Sequence, residues 1–237
     1  MNAHRRAAVI VGVLFISAIV LLFVGQALYD PILGSPDYLD TAYPARSKVI
    51  GGLLIEFTGT VLAIALLPAF LYPILKGHNE ALALGYLGFR LLEVVLHAVD
   101  KLNKLTLVHL SRSHLEGGGM DAATLKAIGG SIQSQSYWAF WLSIVAFGVG
   151  ALILYLVLYK SRLVPRWISA WGFIAAVILL VGTVLPELGL LAGMSGVTLQ
   201  LVFVLPIPLN EIVLAIWLIV KGFDAGAVQI ADSGKTG

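Results

Sequence analysis

Six long apolar stretches separated by short polar ones organise this 237-residue chain. They run near 7–28, 48–75, 80–106, 134–159, 165–186 and 199–222. Crossing about 30 Å of hydrocarbon takes roughly 20 helical residues, so each stretch is long enough to span a bilayer. The pattern predicts an all-α fold, a polytopic bundle of six transmembrane helices forming one domain over 1–223. The first stretch follows "MNAHRR" and outruns the roughly 7–15 residues of a secretory h-region, with no clear small-x-small cleavage site after it. It is expected to be an uncleaved anchor.

The third stretch breaks the apolar rule. In "GYLGFRLLEVVLHAVDKLNK", helical periodicity puts Tyr86, Arg90, Glu93, His97, Asp100, Lys101 and Lys104 within about a third of the circumference. The rest of the surface is Leu, Val, Phe, Ala and Gly, apart from Asn103. A rise of about 1.5 Å per residue sets Arg90 and Glu93 near mid-membrane and His97 in the outer half. Other spans offer partners: Glu56 in the second, Asn210 and Glu211 in the sixth just past Pro206 and Pro208, and Gln135 and Tyr137 at the start of the fourth. Glu56, Arg90, Glu93, His97, Asn210 and Glu211 are therefore the candidate ligand-binding residues, expected to form one constellation.

Composition sharpens that expectation. The chain is 59% hydrophobic and 12% charged, about half the charge of a soluble domain. A lone charge at a helix centre costs about 2.5–3.5 kcal/mol, so these side chains must face each other or water. Arg90 can pair with Glu93 at i,i+3 and with Glu56 or Glu211 across helices, and such pairs could simply lock the bundle. Yet one certain cation stands against three mid-depth carboxylates, so a proton or a bound cation must settle the difference. Three readings follow. The first is a protein that binds or translocates a small molecule, proton or cation. The second is a membrane-embedded enzyme modifying a lipid or isoprenoid. The third is a structural or sensory subunit whose charges only lock helices.

Loop charges give an orientation. Arg5, Arg6, Lys76, Lys160, Arg162, Arg166, Lys221 and Lys235 fall on one side, against Arg46, Lys48, Arg112 and Lys126 on the other. Positive loops stay inside, so both termini are expected in the cytoplasm, with the loops at 29–47, 107–133 and 187–198 outside. Trp138 and Trp141 at one interface, and Tyr155, Tyr159, Trp167, Trp171 and Trp217 near the other, suit an aromatic belt. The glycine- and serine-rich connection around 111–136 is expected to be mobile or partly helical, and the tail from 224 to 237 disordered.

Other chemistries fit less well. With no cysteine, disulfides, thiolate metal sites and cysteine nucleophiles drop out. Haem would need a histidine facing His97 from another span, and none is available. Glu93 and His97 at i,i+4, with Asp100 a turn on, could ligate a divalent ion, but any polar helix face has that spacing. Ser134, Ser136 and Thr58 sit in no nucleophile elbow and suit helix-to-helix hydrogen bonding. No clustered basic face calls for nucleic acid. The partners expected are the lipid bilayer and a small-molecule or cation ligand, with a homo-oligomer left open and no cofactor specified.

Three segments, "LALGYLGFRLLEVVL", "LYKSRLVPRWISAWGFIAA" and "LPIPLNEIVLAIWLIVKGF", resemble in order and spacing the bacterial membrane family described as domain of unknown function 4386. The resemblance covers residues 5–223 and implies a six-span protein integral to the cytoplasmic membrane, without implying an activity. Glu56, Arg90, Glu93, Arg166, Trp167, Trp171, Glu211, Trp217, Lys221 and Gly222 match the family's polar motif positions, and His97 is not among them.

Overall fold

Helices account for nearly all of the structure, a computed structural model that describes residues 3–117 and 121–233. In chain order they are α1 (Ala3–Leu33), the single turn α2 (Tyr38–Thr41), α3 (Arg46–Glu56), α4 (Leu62–Leu75), α5 (Glu80–Leu115), α6 (Ala122–Ser161), α7 (Arg166–Glu187), the single turn α8 (Gly196–Leu199), α9 (Pro206–Val220) and α10 (Ala225–Ser233). A π-helical segment, Phe57–Val61, joins α3 to α4, and another, Gln200–Val204, joins α8 to α9. Among the described residues six helical segments are long and apolar enough to cross a membrane: His4–Leu33, Arg46–Leu75, Glu80–Leu115, Ala122–Ser161, Arg166–Glu187 and Gly196–Val220.

Helix starts follow local chemistry. Asn79 Oδ1 accepts the Leu82 N–H (2.9 Å) ahead of α5, and Asp121 Oδ1 accepts the Thr124 N–H (2.8 Å) ahead of α6. Such side-chain acceptors satisfy backbone donors that a first turn leaves open. The bonds from Thr124 hold the Asp121 carboxyl below the usual carboxylate range. Pro206 has no N–H to give to the preceding turn, and just before it Leu205 N–H bonds Gln200 O at 2.9 Å, the i→i−5 pattern of a π turn.

Two polar stretches take helical form, the first in line with the partly helical alternative. The connection around 111–136 is mostly helix: α5 runs on to Leu115 and α6 begins at Ala122, with 118–120 outside the described residues. Buried Leu107, Val108 and Leu125 anchor these extensions. After α9 comes α10, where Asp224 Oδ1 caps the Ala227 N–H at 2.9 Å and Ala227 and Val228 are buried in a core. The last stretch, 234–237 with Lys235, lies outside the described residues.

The chain forms two compact units. The first takes the chain up to Ser17, Ala63–Glu93 and the chain from Ile144. Its core gathers Phe15, Leu67, Leu71, Leu154, Leu158, Ile168, Leu214 and Leu218. The second takes Ala18–Leu62 and Val94–Ser143, around Tyr29, Leu33, Tyr38, Val49, Leu53 and Leu107. In it α1 and α3 approach backbone to backbone. A Cβ on Gly25 would lie 2.7 Å from Gly52 O, and one on Gly52 would lie 2.8 Å from Gly25 O.

Candidate functional site

Helix α5 is apolar outside and ionic inside. Tyr86, Arg90, Glu93, His97, Asp100 and Lys101 are all buried, while Leu84, Leu91, Leu92, Val95, Val99 and Leu102 are exposed. In water that arrangement would be unstable, but with lipid as the surrounding solvent it is the favourable one. The stripe read from helical periodicity is therefore the protein-facing side of α5. The partners of its residues separate into two clusters, one in each unit.

The first unit holds Arg90, Glu93, Asn210 and Glu211. Arg90 Nη1 stands 3.0 Å from Glu93 Oε2, an ion pair whose geometry falls short of a hydrogen bond. The guanidinium lies 5.4 Å from the Phe147 ring centroid and 6.0 Å from that of Tyr86. Glu211 of α9 is buried within electrostatic reach of Arg90, Glu93 and Tyr155. Asn210 Nδ2 donates to Ile168 O at 2.9 Å. Gly172 makes room here: a Cβ on it would fall 2.4 Å from Tyr155 Cζ and 2.5 Å from Asn210 Oδ1. Among the described residues Tyr86 Oη, Tyr155 Oη, Asn210 Oδ1 and Arg90 Nε are buried and have no hydrogen-bond partner. Leaving such a group unmade costs about 1–3 kcal/mol, and buried polar groups in folded proteins nearly always have a protein or water partner.

The second unit holds Glu56, His97 and Asp100, and here lysines meet both carboxylates, while Tyr38 Oη elsewhere in the unit is buried without a hydrogen-bond partner. Lys101 Nζ pairs with Glu56 Oε1 at 2.5 Å and Asp100 Oδ2 at 2.8 Å. Tyr29 Oη donates to Glu56 Oε2. Lys104 Nζ bonds both Asp100 oxygens at 2.8 and 2.9 Å, and Ser136 Oγ donates to Asp100 Oδ1 at 2.5 Å. The His97 ring packs edge-on against Phe140, with centroids 5.7 Å apart. Two lysines thus answer the two buried carboxylates, with a phenol and a hydroxyl filling remaining sites and the exposed Asp30 within electrostatic reach of both lysines.

The six candidate residues are all buried, but the cation that pairs with Glu56 is Lys101. Gln135 and Tyr137 are exposed, and Ser136 between them is the inward residue. Tyr155, expected in an interfacial belt, is fully buried beside Gly172. Lys101 and Tyr29 were missed as partners of Glu56. Their signal was available for Lys101, which lies on the same stripe of α5, but Tyr29 sits at the end of an apolar run with no local cue. Among the described residues no three His, Asp or Glu side chains converge to hold a metal ion, so the grouping of Glu93, His97 and Asp100 does not assemble one.

Buried ion pairs inside lipid-facing helices define a multi-span helical membrane protein with an interior polar site. The family model described as domain of unknown function (DUF4386) matches residues 10–222, and the chain belongs to that family. Comparisons with curated proteins and with solved structures gave no match.

Proposed function

We propose that the protein binds, and by binding translocates or senses, a proton or a small monovalent cation at the Arg90–Glu93–Glu211 cluster. The observation that carries this reading is an unequal count. Two buried carboxylates stand within electrostatic reach of one guanidinium, which pairs with Glu93, beside three neutral oxygens without hydrogen-bond partners among the described residues of that unit. An uncompensated carboxylate in a dry interior is costly enough that it takes up a proton or a cation. Carboxylate, phenol and amide oxygens are hard donors suited to an alkali ion or an organic ammonium, and the ring faces of Tyr86 and Phe147 can flank an ammonium group. In the cluster of the second unit each buried carboxylate has a lysine partner, and it serves as a structural lock. The loop charge count supports an orientation with both termini in the cytoplasm.

The test is thermal unfolding of the purified protein with sodium, potassium or methylammonium chloride, against choline chloride at equal ionic strength. A ligand at a hundred times its Kd stabilises by about 2.7 kcal/mol, or about 5–10 °C for a chain of this size. The wild type is expected to show such a shift with one of these cations or across a pH series. E93Q and E211Q should each abolish it, and E56Q should lower the midpoint but keep the shift. A wild type indifferent to all three cations and to pH contradicts the proposal, as does a shift that survives E93Q and E211Q.

A further inference from the structure

We infer that the cleft between the α6–α7 turn and the α9–α10 turn is a binding site for the phosphate of an anionic phospholipid headgroup. The cleft, of about 660 Å³, lies wholly in the first unit and is lined by Arg162, Arg166, Lys221, Trp217 and Asp224. Three cations thus meet one acid, and Asp224 is already engaged, because its Oδ1 caps α10 through the Ala227 N–H at 2.9 Å.

The cations stand on fixed backbone. Arg162 has a φ of 58°, a left-handed conformation that a non-glycine residue keeps only when its surroundings hold it there. Leu163 and Val164, buried in the core, anchor that turn from below. Asp224 N–H donates to Leu163 O at 2.9 Å and ties the two turns together. Gly222, with a φ of 80°, closes α9 and leaves space where a Cβ would lie 3.3 Å from Arg5 Nη1. Arg5 itself is occupied, with Nη1 donating to Leu218 O at 2.7 Å and Nη2 to Ile219 O at 2.5 Å. Helix α7 opens beside Arg166 after Pro165, with no side chain capping its first turn. Its leading N–H groups add to a positive surface that suits an anion.

A lipid, rather than a soluble phosphate, follows from what surrounds the cleft. It sits where one membrane-length helix begins and another ends. Trp167 and Tyr159 are exposed beside it, as interfacial aromatics are. Leu209, Ile216 and Val220 form an exposed apolar stripe along α9 leading from it, a surface for an acyl chain.

Native mass spectrometry of the purified full chain, delipidated and then incubated with micelles containing phosphatidylglycerol or phosphatidylcholine, tests this. The wild type should retain phosphatidylglycerol over phosphatidylcholine, and inorganic phosphate in millimolar excess should not displace it. Each cation removed should weaken retention about fivefold, so R166Q and K221Q each lose that much, and R46Q, in the other unit, loses nothing. K221R should restore retention, which a merely misfolded variant could not explain. Equal retention of the two lipids, or retention unchanged in both R166Q and K221Q, overturns the inference. Displacement by inorganic phosphate overturns the lipid assignment in favour of a soluble phosphate ligand.

Discussion

Glu56 and Glu211 are both buried glutamates in membrane-length helices, yet their neighbours differ in kind. Lys101 and Tyr29 meet both oxygens of Glu56, whereas Glu211 lies only within electrostatic reach of an Arg90 that pairs with Glu93. Removing one partner from a buried pair strands the other and costs about 3–5 kcal/mol. K101M should therefore lower the thermal midpoint by roughly 10 °C, and E56Q combined with K101M should recover part of the loss. No recovery in the double variant would mean that the pair is not coupled. His78, outside the membrane-length segments, offers a pH handle. Burial lowers its pKa below the ordinary value, with Nε2 left without a partner. The unfolded chain then binds the proton more readily, so stability is fullest above pH about 6.5 and falls as pH drops through that value. Thermal midpoints measured from pH 7.5 down to 5.0 should decline, and less so in H78Q. An identical slope in H78Q would remove His78 as the cause.

At the scale of the element, glycine sets how closely helices approach. Gly25 and Gly52 leave no room for a methyl group where α1 crosses α3, and a Cβ on Gly25 would also fall 2.6 Å from Glu56 Cβ. Overpacking of this kind costs about 1–3 kcal/mol. G25A or G52A should lower the thermal midpoint by several degrees, while G88A, where nothing stands near the added carbon, should leave it unchanged. Comparable losses in all three would point to helix flexibility instead of contact. Periodicity made the polar stripe of α5 legible because one helix carries both its faces in a single run of letters. Which cation each carboxylate meets was not legible. That depends on helix crossings, and these turn on small residues such as Gly25 and Gly172, whose letters read only as generic packing. Ser136, one position from the exposed Gln135 and Tyr137, shows the same limit: depth along a helix could be counted, but rotation about its axis could not. The helical runs beyond Thr106 and before Ser134 were hidden by glycine and serine, whose low helix propensity was overridden by burial of Leu107, Val108 and Leu125.

At the scale of the whole molecule, the buried ionic groups among the described residues fall into one set whose carboxylates have lysine partners and one unmatched set, each within its own compact unit. Hydropathy alone made the six spans plain, because lipid demands long apolar helices whatever the protein does. Two units interleaved along the chain leave no such trace, since their boundaries fall inside helices. On the proposed reading, the unmatched set carries one negative charge too many for its own residues to settle. Infrared spectroscopy of the protein in cation-free bilayers at neutral pH, reading the carbonyl stretch of protonated carboxyl groups, addresses it most directly. The expected result is one protonated buried carboxyl, lost in E211Q or E93Q and converted to carboxylate when a cation that stabilises the protein is added, with E56Q leaving the band intact. A spectrum with no such band, in protein that also binds no cation, would contradict the account.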